Sequence, residues 1–218
     1  MKTNEDLQKD VLEAIKWEPL LSPAEIGVTV KDGVVTLTGT VDSYYKKVEA
    51  EDAAKKVSGV KVLIEKIEIK YIELGKTGDD EIAQEIINAF KWNWSVPSSN
   101  VKVKVEKGWV TLDGNLRWNS QRETAVRIVK NLRGVIGVSD NLKIKSEVQD
   151  LIEQEEIVKA INRNWTLEDK HIIVEVAGNK VTLKGDVNSL YQKEEAEKIV
   201  WNATGVSFVE NNLNIINS

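Results

Sequence analysis

The chain has 218 residues, with 30 Lys and Arg against 35 Asp and Glu and 41% hydrophobic residues. This is an ordinary globular balance that excludes long disordered stretches. No cysteine is present, which excludes disulfides and thiolate metal sites. No run approaches the roughly 20 apolar residues of a membrane span, and Met1 to Glu5 lead into an amphipathic pattern without a signal-peptide core. As written, the chain is expected to be soluble and cytoplasmic, or periplasmic where a leader has been removed.

In chain order, Leu7, Val11, Leu12 and Ile15 recur at helical spacing, and Ile26, Val28 and Val30 then alternate as in a strand with one buried face. Asp32 and Gly33 tolerate the positive φ of a tight turn, and Val34 to Gly39 return as a second strand. From Ser43 a second amphipathic helix of about four turns is predicted, with Ala50, Ala53, Ala54 and Val57 on one face. Gly59-Val60 ends it, as where a chain leaves a helix through a left-handed residue. Leu63 and Ile67 mark a last strand, and Tyr71 to Asp79 reads as a linker.

The same series then returns twice. Val34-Val35-Thr36-Leu37-Thr38-Gly39 reappears 75 positions on as Trp109-Val110-Thr111-Leu112-Asp113-Gly114, and 71 positions further as Lys180-Val181-Thr182-Leu183-Lys184-Gly185. The flanking helices, marked by Ile82, Ile86, Ile87 and Phe90 and by Ile157, Val158 and Ile161, hold the register, as do Gly134-Val135 and Gly205-Val206. A second linker is expected at Ser146 to Gln149. A repeat of this kind decides the fold. The chain is read as α+β: three tandem αββαβ modules, at 1–75, 76–148 and 149–218, each a three-stranded mixed sheet with two helices on one face. The strand-helix-strand crossover should be right-handed and leave the last strand parallel to its neighbour.

The run Asp32-Gly33-Val34-Val35-Thr36-Leu37-Thr38-Gly39-Thr40-Val41, the helix alanines and the Gly-Val ending resemble the BON domain family, three times over and across nearly the whole chain. The resemblance implies a non-enzymatic domain, often exported, associated with envelope or osmotic stress and with contact to phospholipid surfaces.

Catalytic chemistry finds no support in the residues. His171 is the single histidine and stands at a strand edge, and no Ser, His and Asp set, HExxH or phosphate-cradling loop is present. The carboxylates of Asp79-Asp80-Glu81 and of Glu153, Glu155 and Glu156 sit at helix starts, where they suit the helix dipole. No cofactor or metal is expected.

Aromatic choice and charge point instead to a binding surface. Of seven tryptophans, Trp17, Trp92, Trp94 and Trp165 fall where the first helix of a copy ends, beside Lys16, Lys91 and Arg163. Indole beside a cation suits a membrane interface; the competing reading is that these rings cap each small core. Trp92 and Trp94, two apart on a helix, should not both face one way. Copy 1 holds 11 Lys and Arg against 14 Asp and Glu, copy 2 holds 12 against 9, and copy 3 holds 7 against 12, giving −3, +3 and −5. The basic copy 2 also carries Trp109 and Trp118. The candidate membrane or partner residues are therefore Lys91, Trp92, Trp94, Trp118, Trp17 and Trp165, and the expected partner is an anionic phospholipid surface. The alternative is a protein-interaction or chaperone-like scaffold; nucleic acid is not expected, because total charge is negative and no dense basic run occurs.

Overall fold

The computed structural model describes residues 2–22, 24–70, 77–145, 152–167 and 171–216. Copy 1 runs α1 (Asn4–Lys16), β1 (Ile26–Lys31), β2 (Val34–Val41), α2 (Tyr44–Lys55) and β3 (Val62–Ile69). Copy 2 runs α3 (Asp79–Trp92), β4 (Val101–Glu106), β5 (Trp109–Leu116), α4 (Asn119–Lys130) and β6 (Gly137–Ile144). Copy 3 runs α5 (Gln154–Asn162), β7 (Ile173–Ala177), β8 (Lys180–Val187), α6 (Leu190–Trp201) and β9 (Phe208–Ile215). The expected αββαβ order thus occurs three times. The second helices have 12 residues each, nearer three turns than four. Most of both expected linkers lies outside the described residues.

Each copy forms its own three-stranded mixed sheet, with β2, β5 or β8 in the centre. The hairpins are antiparallel, Val28 facing Leu37 and Val103 facing Leu112. The last strands are parallel to the centre, Leu112 facing Asp140 and Leu183 facing Asn211, as a crossover through a helix requires. Alternation along β2 buries Val35, Leu37 and Val41, as helical spacing buries Leu7, Val11 and Ile15 of α1 and Ala50, Ala53 and Ala54 of α2; in copy 3 the equivalent residues Ile157, Ile161, Val181, Leu183, Ala196 and Val200 form one core. Leu12 and Ile87, counted with the apolar face from their spacing, lie at its margin, 36% and 42% exposed.

One end of each copy is built around the hairpin turn. Asp32-Gly33 and Lys107-Gly108 both have positive φ at the two central positions, the geometry that matches strand twist. The first helix supports that turn directly. Asn4 Oδ1 accepts from the N–H of Asp32 at 2.9 Å, and Asp79 accepts from the N–H groups of Lys107 and Gly108 at 2.7 and 2.8 Å. The carboxylate of Asp79 therefore does more than face a helix dipole. From the other side, the chain leaving the second helix donates to the turn: Lys61 to Gly33 O, Ile136 to Gly108 O and Ser207 to Asn179 O. The opposite, junction end holds the close of the first helix and the start of the second. In copy 3 the two are joined there by Gln192 Nε2 donating to Thr166 O at 2.7 Å.

The repeated glycine after the central strand motif is a close-approach residue. Gly39, Gly114 and Gly185 have φ of 135°, 152° and 125°, and a Cβ there would fall 1.9, 2.0 and 2.4 Å from the carbonyl oxygens of Glu25, Asn100 and His171.

The copies gather into two compact units, copies 1 and 3 in one, and copy 2 with Val41–Tyr45 in the other. Within the first, Gly59 N–H donates to Asn188 O at 3.1 Å and Lys55 Nζ meets Glu194 at 2.8 Å. Burial alone would lower the Lys55 pKa, but the Glu194 bond and charge, together with the charges of Asp52 and Glu51, hold the ammonium above its ordinary value. No residue of α2 is exposed, and burial raises the pKa of half-buried Glu51 against the attraction of Lys55. A folded carboxyl above its unfolded pKa costs stability while ionised, and the cost disappears as pH falls through the raised value. Glu51→Gln is accordingly expected to raise the melting temperature at neutral pH. The gain should vanish in acid below the ordinary carboxylate range, as thermal unfolding at the two pH values will measure.

Candidate binding surface

The last buried residues of the three first helices are Ile15, Phe90 and Ile161, and the next buried positions are Leu21, Val96 and Leu167. In copies 2 and 3 the chain between them reads Asn93-Trp94-Ser95 and Asn164-Trp165-Thr166. Each asparagine Oδ1 accepts from the N–H two residues on, at 3.0 Å in both copies, and its carbonyl accepts from Val96 or Leu167. Such a side-chain-closed turn folds the aliphatic residue back into the core and leaves the tryptophan outside. Trp94 is 96% and Trp165 82% exposed.

Copy 1 replaces the Asn-Trp pair with Glu18-Pro19, and its exposed ring is Trp17, the C-cap of α1. Trp92 is the equivalent residue in copy 2, and these two rings are 83% and 89% exposed. None of the four rings caps a core, contrary to one of the two readings open in the sequence; Leu21, Val96 and Leu167 fill that place. The expectation that Trp92 and Trp94 diverge along one helix is also corrected. Helix α3 ends at Trp92, Asn93 turns the chain to φ −103° and ψ 99°, and Trp94 stands off the helix, so both rings face solvent. Leu167→Ala should cost about 2–5 kcal/mol and Trp165→Ala less than about 0.5 kcal/mol, a contrast that urea unfolding of the two variants will show.

Cations accompany the rings. Lys16, Lys91 and Arg163 are exposed beside them, and Lys91 makes no ion pair among the described residues. Beside Lys91, Ile87 and Phe90 form a shallow recess with Val101 and Val103. Copy 2 adds a second such pair at the same junction end. Trp118 is the N-cap of α4, 38% exposed, with the Arg117 guanidinium 5.1 Å from its ring centroid. Gln121 Oε1 accepts from the N–H groups of both residues and fixes that junction. Copies 1 and 3 have Ser43 and Ser189 at this position.

The remaining tryptophans serve locally. Trp109 lies on the open face of its sheet, its Nε1 donating to Ser139 Oγ at 2.8 Å and its ring covering Gly137. Trp201 is half-buried on α6 and donates to Glu197. His171 is exposed, and its carbonyl oxygen is the one that a Cβ on Gly185 would strike. Among the described residues, no group of three or more His, Asp or Glu is placed to hold a metal ion, and no helix is long and apolar enough to cross a membrane. The Asn-Trp-Ser/Thr-aliphatic turn was the missed sequence signal; it recurs in copies 2 and 3 and fixes which residue points out.

The BON domain family matches three segments, residues 3–71, 78–146 and 149–217. The chain belongs to the BON domain family. Of curated relatives, the osmotically-inducible protein Y of Escherichia coli K12 is 28% identical over 158 residues, 68% of this chain and 79% of that protein. An uncharacterized protein of Anaplasma centrale is 29% identical over 125 residues, covering 56% of this chain and 83% of its own length. Among solved structures, CdsD, a structural protein of the type III secretion system of Chlamydia trachomatis, aligns at 15% identity over 98% of this chain and 93% of its own, with a TM-score of 0.25. The three BON copies share one scaffold, but only copy 2 carries Trp-cation pairs at both corners of its junction end.

Proposed function

We propose that this three-copy BON protein is a non-enzymatic binding protein of the osmotic-stress response that associates peripherally with anionic phospholipid surfaces, chiefly through copy 2. The observation that carries the reading is the set of four tryptophans, each more than four-fifths exposed and each beside a cation at the close of a first helix. Burying apolar rings in a packed core lowers free energy, so rings held outward at equivalent places are best explained by something that covers them. A bilayer interface offers apolar depth for the indoles of Trp92 and Trp94 and phosphate for Lys91. The +3 charge of copy 2, against −3 and −5 for its neighbours, favours it as the contact. The relation to the osmotically-inducible protein Y supports the stress setting.

Co-sedimentation with phosphatidylglycerol vesicles tests this. Binding at low salt that weakens in Trp92→Ala and Lys91→Ala is expected; absence of binding, or binding indifferent to both changes, rejects it. A protein-interaction scaffold is the second reading. It is favoured by Ile173 and Phe208, 58% and 55% exposed in copy 3, and it predicts no dependence on lipid.

A further inference from the structure

Copies 1 and 2 bury an apolar residue near the start of the first helix. Leu7 of α1 and Ile82 of α3 stand 75 positions apart and are 4% and 0% exposed. Ile82 lies against the exit of α4, where a Cβ on Gly134 would meet its Cδ1 at 2.9 Å. The residue 71 positions further on, in copy 3, is Glu153, and it is exposed. The facing wall is cut back as well, since Val57 and Leu132, two residues before the exit glycines of copies 1 and 2, are matched by Ala203. Ile152 packs on the core of copy 3 only in part, and between α5 and α6 a cleft of about 710 Å³ stays open. Its floor is aliphatic, formed by Ile157, Ala160, Ile199 and Ala203. One end is polar, with Glu153 at the N-cap of α5, Asn202 at the C-cap of α6, and Thr204.

We infer that this cleft binds a small linear aliphatic amine, with its ammonium at the Glu153 end and its alkyl chain along the floor toward Arg163. The size falls within the roughly 300–1,000 Å³ of small-molecule sites, which join an apolar lining to a few polar groups. A primary ammonium has three N–H donors, and Glu153, Asn202 and Thr204 each offer an oxygen. Among the described residues, none of these three side chains has a hydrogen-bond or ion-pair partner. The carbonyl end of α6 adds the negative pole of its dipole at the same place, and copy 3 carries −5, both of which favour a cation. Arg163 is the single cation among the described residues lining the cleft, and its methylene stem can cover the end of the chain. An anionic amphiphile could use only that guanidinium and would lie beside Glu153 and Glu156. The inference is independent of lipid binding, which rests on copy 2.

Isothermal titration of the full chain with octylamine tests it. Octylamine is expected to bind about tenfold or more tightly than octanoate, which has the opposite charge, and than octyltrimethylammonium, which has no N–H donor. Glu153→Gln should weaken octylamine about tenfold. Glu153→Ile with Ala203→Leu rebuilds the residues of copy 2 and should abolish binding while the melting temperature holds or rises, so that lost binding is not lost folding. The inference is overturned by a wild-type chain that does not bind octylamine, or by octanoate or octyltrimethylammonium binding as tightly. Octylamine affinity unchanged in Glu153→Gln, or kept in the filled variant, overturns it equally.

Discussion

Gly114→Ala is expected to unfold copy 2, with a loss of more than about 3 kcal/mol. Two costs act together. The residue has φ of 152°, and a methyl group there would sit 2.0 Å from the carbonyl oxygen of Asn100, well inside contact distance. The obstacle is backbone, held by the pairing of Val101 with Gly114, so it cannot swing away as a side chain would. A module of about 70 residues has little stability to spare. Gly178→Ala provides the comparison, because φ is 62° but nothing lies within 4 Å of the added carbon; its cost should be about 1 kcal/mol, the left-handed penalty alone. Urea unfolding followed by tryptophan fluorescence separates the two. Equal losses at Gly114 and Gly178 would show that φ, and not the close approach, is what the motif glycine provides.

That comparison also shows what was legible in the chain. Period-2 and helical spacing gave the αββαβ order because, within one copy, strand residues such as Val110 and Leu112 and helix residues such as Ile82 and Ile86 must be buried together, and burial acts on spacing. The Gly-Val helix exits were legible for the same local reason, and Gly59, Gly134 and Gly205 take φ of 97°, 87° and 87°. The motif glycine was visible as a repeat, but its cause was not, because the carbonyl it avoids lies one or two residues ahead of the partner strand, 14 positions away in each copy. The tryptophans failed differently. Whether Trp165 fills the core or leaves it depends on Asn164 closing a turn that gives the core to Leu167, and helical spacing stops one turn earlier. Likewise the acids of α3 read as dipole partners, since nothing in the helix itself announces that Asp79 reaches the hairpin turn 28 residues on. The contact of copy 1 with copy 3 lay furthest out of reach, as it joins segments with a whole copy between them.

The second large effect concerns lipid. Trp92→Ala with Trp94→Ala is expected to weaken binding to phosphatidylglycerol vesicles about a hundredfold or more. An indole that enters the interface removes on the order of 100 Å² of apolar surface from water, worth about 2 kcal/mol per ring, and each 1.4 kcal/mol is tenfold in affinity. Both rings start close to fully exposed, at 89% and 96%, so their removal subtracts contact with lipid and almost none with the protein. Lys91→Ala should cost about 1 kcal/mol, roughly fivefold, at low salt, and the difference should vanish near 1 M salt, where the screening length falls to about 3 Å. Trp109→Phe is the control within the same copy: its ring is spent on Gly137 and its N–H on Ser139, so vesicle binding should change less than about twofold. Equal losses from Trp109→Phe and the Trp92, Trp94 pair would mean that the open sheet face, and not the helix end, meets the membrane. A salt-insensitive Lys91→Ala effect would mean that the lysine packs and does not pair with phosphate.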